Sequence, residues 1–193
     1  IDIAPSSVEI APEQIKKFIS ESIRTNFAPE QIKKFISESI RTNRRWKRIF
    51  LSGGEPVLHP SIHEIVDLVL AYKKLSPSTE ISLLTSKTKE FIVQRLPWLP
   101  PEVSIIESQK DTHPYTHYPI TVALSDYPQY ANADFTNACV VPQNCGIGFN
   151  AFGFYPCTTA AAIDRIFGFN KGKKELPPEE YTFLDELSCF CRL

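Results

Sequence analysis

The chain has 193 residues, of which 42% are hydrophobic and 22% charged, a balance typical of globular proteins and not of disordered ones. Its formal net charge is −1, and its one basic run, residues 44–48, directly follows a helical pattern, so we expect no nucleic-acid partner. No apolar stretch reaches the roughly 18–20 residues of a membrane span and no signal peptide is visible, so we expect a cytoplasmic protein without a membrane partner.

The N-terminal region contains a tandem repeat. Residues 11–26 and 28–43 share the sequence APEQIKKFISESIRTN, and each copy predicts an amphipathic helix with a proline in its first turn. Pro29 and the phase difference between the two copies oppose one continuous helix, so we expect one copy, the second, to occupy the docking groove. A recent or engineered duplication, or an assembly error, explains two identical copies better than a solenoid does. The apolar stripe of the second copy comprises Ile32, Phe35, Ile36 and Ile40.

Beyond the repeat, short apolar strands alternate with helical patterns. The predicted strands are residues 48–52, 80–86, 102–108 and 118–125. The predicted helices are residues 60–75 and 89–96, and the first of them directs inward Ile62, Ile65, Val66, Val69 and Leu70. This alternation predicts an α/β fold with helices packed on a parallel sheet, over a first domain of residues 1–125. Ligands in such folds bind at the carboxyl ends of the strands.

Residues 126–193 have a different character and form a second predicted domain. They are rich in glycine, asparagine, proline and aromatic residues, with little periodicity before a last helical segment at residues 177–190. An odd cysteine count without a secretion signal argues against a disulfide framework and favours metal ligands. We therefore predict a small irregular module stabilised by metal, with iron–sulfur and zinc both suited to thiolates. The cysteines are Cys139, Cys145, Cys157, Cys189 and Cys191.

The motif LSGGEPVLHP, residues 51–60, stands where the first predicted strand ends. Gly53 and Gly54 let a backbone approach a ligand closely, and Glu55 is suited to accept a charge-assisted hydrogen bond from an ammonium group. The alternative is a tight turn with a solvated glutamate. His59 and His63 have the four-residue spacing of helical zinc ligands, but Pro60 opens the helix between them, which disfavours such a site.

With the strand before it and the helix after it, this motif resembles the radical S-adenosylmethionine (radical SAM) enzymes. The resemblance implies a partial (β/α) barrel as far as about residue 125. It also implies that Gly53, Gly54 and Glu55 contact the methionyl part of S-adenosylmethionine.

The cysteine-rich module resembles the auxiliary iron–sulfur domain of SPASM or twitch type. The hairpin pattern of that domain is matched by Cys145, Gly153 and Cys157. The resemblance implies an auxiliary [4Fe–4S] cluster, with zinc as the metal alternative. Its candidate ligands are Cys139, Cys145, Cys157, Cys189 and Cys191.

The reaction implied by the resemblance is reductive cleavage of S-adenosylmethionine to a 5′-deoxyadenosyl radical. The radical would abstract hydrogen from an unknown small-molecule or peptide substrate, with an electron-donor protein as a further partner. No cysteine precedes Cys139, so the family's C-x-x-x-C-x-x-C loop is missing and we expect this chain to be inactive by itself. The absence of methionine, even at position 1, favours a trimmed chain. The alternatives are a non-catalytic, metal-stabilised binding module and a scaffold with an engineered helix duplication.

Overall fold

The computed structural model describes residues 28–52, 55–86, 90–107, 128–130 and 146–191. These residues belong to two compact units, one within residues 28–107 and the other within residues 128–191. The first copy of the repeat and the predicted strand at residues 118–125 lie outside the described residues. None of the helices in the described part has the length and apolarity needed to cross a membrane.

The first unit is a mixed α/β structure, and its sheet has three parallel strands: β1 (Arg48–Leu51), β2 (Glu80–Thr85) and β3 (Val103–Glu107). They lie in the order β1-β2-β3, so each strand pairs with its neighbour in sequence. Helix α1 (Pro29–Arg41) precedes β1, helix α2 (Ile62–Leu75) connects β1 to β2, and the short helix α3 (Glu90–Val93) lies between β2 and β3. The predicted strand–helix alternation and parallel pairing are therefore confirmed, and the described strands do not close into a barrel.

The helices pack on one face of this sheet. Because side chains alternate along a strand, one face presents the buried residues Ile49, Ile81, Leu83 and Val103. They form one core with the buried residues of α2, which are Ile62, Ile65, Val66, Val69 and Tyr72. The other face carries Phe50, which is 44% exposed, and Ser82, whose hydroxyl lies 2.9 Å from that of Ser104. The prediction of a buried strand at residues 48–52 is thus wrong for one of the two faces of β1.

Helix α1 confirms the predicted helix of the second repeat copy. Pro29 opens the helix, and the Gln31 side chain accepts a hydrogen bond from the backbone N–H of Ala28 at 3.0 Å. Ile32 is buried, as predicted, but Ile40 is 53% exposed. Ile40 lines an apolar groove of about 260 Å³ between α1 and α2 instead of joining the core.

At the C-terminal end of α1 the buried residue is Ser39 and not Ile40. The hydroxyl of Ser39 donates to the carbonyl of Phe35 at 2.7 Å and accepts a hydrogen bond from the indole N–H of Trp46 at 2.8 Å. The backbone N–H of Arg44 donates to the Ser39 carbonyl at 2.9 Å, and the Tyr72 hydroxyl donates to the Arg44 carbonyl at 3.0 Å. These bonds join the end of α1 to the chain that directly follows it.

The second unit begins with an antiparallel hairpin of β4 (Gly148–Asn150) and β5 (Gly153–Tyr155), followed by α4 (Thr158–Phe167) and α5 (Leu184–Phe190). The sequence pattern missed the ten-residue helix α4, and α5 is shorter than the predicted helix at residues 177–190. The helix begins late because Phe183, directly before it, has a left-handed φ of 56°.

A close backbone approach holds the hairpin against the segment that follows α4. Phe154 and Lys173 exchange two backbone hydrogen bonds, of 2.8 Å and 2.9 Å. Gly153, beside this bridge, has a φ of 144°, and a Cβ there would collide with the Lys173 carbonyl. Only glycine fits this position without displacing the backbone.

Candidate functional site

The carboxyl ends of β1 and β2 meet at one edge of the sheet, because the two strands are parallel and adjacent. Glu55 follows β1 and Ser86 follows β2. The Oε2 atom of Glu55 accepts hydrogen bonds from both the backbone N–H and the hydroxyl of Ser86, each at 2.9 Å. The carboxylate is therefore fixed at the edge where α/β folds bind ligands.

The second oxygen of the same carboxylate has no such contact. Oε1 of Glu55 is buried and has no hydrogen-bond partner among the described residues. Leaving a buried carboxylate oxygen without a donor is costly, on the order of 1–3 kcal/mol or more for a charged group. A ligand that brings a hydrogen-bond donor to this oxygen would remove that cost.

The backbone next to Glu55 explains why its side chain points across the strand ends. Pro56 disfavours helical geometry at the residue before it, and Glu55 has extended angles of φ −125° and ψ 103°. A 3-10 turn, Pro56–Leu58, then reverses the chain, closed by a 3.0 Å bond from the Leu58 N–H to the Glu55 carbonyl. Pro56 and Val57 are buried, which anchors this turn to the core.

His59 directly follows the turn and has a second buried atom without a described partner. Its Nδ1 accepts a hydrogen bond from the backbone N–H of Ser61 at 3.0 Å, and its Nε2 is buried with no partner among the described residues. Burial lowers the pKa of His59 below its ordinary value of 6.5, because desolvation disfavours the charged imidazolium. The ring is therefore neutral at pH 7.

Burial of neutral His59 makes the stability of the first unit depend on pH. Below the ordinary pKa of 6.5 the unfolded chain binds a proton that the folded chain still excludes. We therefore expect stability contributed by this group to be fully present above pH 6.5 and to be lost as the pH falls towards the lower pKa of the folded state. Urea unfolding measured between pH 5 and 8 checks this, and His59→Asn should flatten the curve relative to the control His63→Asn. An equal slope in both variants would contradict the assignment.

Of the three residues predicted to bind the cofactor, the structure describes Glu55, while Gly53 and Gly54 lie outside the described residues. The sequence pattern did not indicate the contact between Ser86 and Glu55 or the burial of the Nε2 atom of His59. The only signal for Ser86 was its position at the end of a predicted strand, which gives no information about its partner.

Three of the five predicted metal ligands are described, all in the second unit. Cys157 is buried and caps α4, where its Sγ accepts a hydrogen bond from the Ala160 N–H at 3.3 Å. Cys189 lies in α5 and Cys191 directly follows it, and both are half-buried. Cys139 and Cys145 lie outside the described residues.

The helical conformation separates Cys189 from Cys191. Residues two apart on an α-helix point in directions about 200° apart, so both thiols can bind one metal only if the last turn unwinds. Within the described ranges, no cluster of three or more cysteine, histidine or carboxylate side chains is arranged to hold a metal ion. Cys157 packs in the same apolar cluster as Phe190, the residue between the two cysteines of α5.

A buried polar network, which the sequence analysis did not anticipate, lies in this second unit. The Tyr155 hydroxyl donates to Oδ2 of Asp164 at 2.6 Å, and the backbone N–H groups of Lys171 and Gly172 donate to the same carboxylate. Burial raises the pKa of Tyr155, and the adjacent Asp164 carboxylate raises it further. This network joins β5, α4 and the segment after α4.

A second ionic group fixes α5. Lys173 Nζ lies 2.7 Å from Oε1 of Glu186, and the Tyr181 hydroxyl donates to the same carboxylate at 3.1 Å. The hydrogen bond to Glu186 raises the pKa of Lys173. Burial alone would raise the pKa of Glu186, but the hydrogen bonds from Lys173, from its own backbone N–H and from Tyr181, with the charge of Lys173, together outweigh burial, and the net shift is downward. Both groups are charged at neutral pH and their role is structural.

The chain matches no protein-family model, and comparison with curated proteins and with solved structures gives no significant match.

Proposed function

We propose that the edge formed by Glu55 and Ser86 binds the amino-acid end of S-adenosylmethionine, and that the chain is the core of a radical SAM protein. The observation that carries the proposal is the buried Oε1 of Glu55, an anionic acceptor without a described donor. An ammonium group is the donor that such an oxygen binds best, because both partners are charged. Glu55 belongs to the motif at residues 51–60, which resembles the S-adenosylmethionine-binding motif of the radical SAM enzymes.

The sheet supports the proposal at the level of fold. Sequential parallel strands with helices on one face are what a segment of a (β/α) barrel requires, whereas a doubly wound sheet needs helices on both faces. The face without described helices carries Ser82 and Ser104 together with the apolar side chains of Phe50, Leu84 and Ile106. In a partial barrel this face would line the interior, and Glu55 would stand at its carboxyl end.

The proposed roles of the chain's own residues are binding and positioning. Ser86 fixes one carboxylate oxygen of Glu55, so the other is held in place before the ligand arrives. Such preorganisation reduces the entropy lost on binding. S-adenosylmethionine supplies, when reductively cleaved, the 5′-deoxyadenosyl radical that abstracts hydrogen from a substrate.

For the second unit we propose that Cys157 belongs to an auxiliary iron–sulfur site with Cys139 and Cys145, zinc being the alternative metal. Because the side chains of Cys189 and Cys191 point in different directions, we expect only one of the two to be a further ligand of this metal site. The three described cysteines do not by themselves form a site.

Calorimetric titration of the full chain with S-adenosylmethionine tests the Glu55 proposal. Glu55→Gln keeps an oxygen for the two Ser86 donors but removes the charge that faces the ligand. We expect binding to weaken about ten- to a hundredfold, because hydrogen bonds to charged groups contribute about 1.5–3 kcal/mol.

The matched control is Glu64→Gln, which changes an exposed glutamate on α2 that pairs with Lys33. This variant should bind as tightly as the parent chain. Absence of binding by the parent chain, or equal binding by the Glu55 and Glu64 variants, would refute the proposal.

A further inference from the structure

We propose that His59 binds the carboxylate of the same ligand whose ammonium group binds Glu55, through the N–H at its Nε2. This inference rests on the proposed function and extends it to a second recognition residue. It assigns the site a preference for a complete α-amino acid end, with both charged groups present, over a simple amine.

The hydrogen bond at the other ring nitrogen fixes the tautomer. A backbone N–H can only donate, so Nδ1 of His59, which receives the Ser61 N–H at 3.0 Å, carries no proton in the neutral ring. The proton of the neutral imidazole is therefore on Nε2, which makes that atom a hydrogen-bond donor. The Ser61 contact also restricts rotation of the ring.

Nε2 is buried without a described acceptor, just as Oε1 of Glu55 is buried without a described donor. Native proteins leave few buried polar atoms unsatisfied, and each such atom calls for an explanation such as a ligand or an ordered water. Here the two atoms have opposite hydrogen-bonding character. One ligand that offers a donor and an acceptor close together satisfies both.

The intervening 3-10 turn keeps the two residues close. At a rise of about 2 Å per residue, the Cα atoms of Glu55 and His59 are about 8 Å apart along the axis of the turn. The turn is closed by backbone bonds of 3.0 Å from Leu58 to Glu55 and from His59 to Pro56. The ammonium and carboxylate groups of an α-amino acid share one carbon atom, which is the spacing that a donor and an acceptor flanking one turn can recognise.

The experiment compares two ligands in the full chain by calorimetry. S-adenosylmethionine has both the ammonium and the carboxylate group, whereas its decarboxylated analogue keeps the ammonium group alone. His59→Asn retains an acceptor for the Ser61 N–H and removes the donor at the Nε2 position. We expect this variant to bind S-adenosylmethionine about tenfold more weakly and to bind the decarboxylated analogue unchanged.

Two further variants separate the possible failures. Glu55→Gln should weaken binding of both ligands by a similar factor, and His63→Asn, which changes the histidine whose ring is tilted against that of Trp98, should weaken binding of neither. If His59→Asn binds both ligands like the parent chain, or loses both equally with unchanged thermal unfolding, the carboxylate assignment is wrong while the Glu55 site stands. If the parent chain binds neither ligand, the proposed function fails and this inference fails with it.

Discussion

Leu83→Ala is expected to destabilise the first unit by about 3 kcal/mol, within the range of 2–5 kcal/mol typical of buried leucines. Leu83 lies in the central strand β2, is fully buried and faces the helices. Its truncation removes apolar contacts and leaves a cavity that the flanking strands β1 and β3 prevent from collapsing. Urea unfolding, followed by circular dichroism, measures the loss.

The next residue along the strand provides the control. Leu84 has the opposite orientation and is half-buried, so Leu84→Ala should cost about 1 kcal/mol, in proportion to the smaller apolar area removed. The comparison reports which face of the sheet the helices cover. Equal losses for the two variants would show that the second face is also packed, contrary to the arrangement described for α1 and α2.

Asp164→Ala is expected to destabilise the second unit by about 3 kcal/mol or more. The substitution deprives the buried Tyr155 hydroxyl and the N–H groups of Lys171 and Gly172 of their common acceptor. Each buried polar group left without a partner costs about 1–3 kcal/mol, and these three lose theirs together. Thermal unfolding monitored by circular dichroism measures the effect.

Two milder variants test the cause. Asp164→Asn keeps an oxygen acceptor, and Tyr155→Phe removes the hydroxyl while leaving both backbone donors on the carboxylate. Each should cost about half as much as Asp164→Ala or less. If Asp164→Ala proves no more destabilising than Tyr155→Phe, the two backbone hydrogen bonds contribute little to the stability of the second unit.

The elements of the first unit were predictable because apolar periodicity and turn chemistry agree there. The pattern Ile62, Ile65, Val66, Val69 defined the buried face of α2, and the apolar run at residues 80–86 defined β2. The errors occurred where a tertiary contact outweighed hydropathy. Ser39 is buried because Trp46 and the Phe35 carbonyl satisfy its hydroxyl, and Ile40 is exposed because no neighbouring element in the described part of the chain extends over it.

The second unit was less predictable for a related reason. The sequence of α4, TTAAAIDRIF, presents only small apolar side chains and one aspartate to the interior, which is a weak periodic signal. Its buried Asp164 bonds to Tyr155 and Gly172, which lie nine and eight residues away and outside the helix. No local pattern indicates such a network.

At the candidate site, Glu55 was predictable from the glycines before it, but its environment was not. The contact with Ser86 joins two strand ends separated by the whole of α2, and the unsatisfied atoms of Glu55 and His59 are properties of burial in three dimensions. The sequence motif therefore indicated Glu55 as a candidate, while the proposal of a zwitterionic ligand depends on which atoms the fold buries.

The bonds at the end of α1 have a consequence for how the chain folds. The two repeat copies have identical side chains, so hydropathy does not determine which copy packs in the first unit. The second copy differs from the first in its C-terminal neighbours, since Arg44 and Trp46 bond to Ser39 without an intervening loop. Docking the first copy in its place would require closing a loop of the whole second copy, at an entropic cost of about 2–3 kcal/mol. Chain connectivity, and not side-chain identity, thus decides the competition between the two segments and keeps the register of the fold unique.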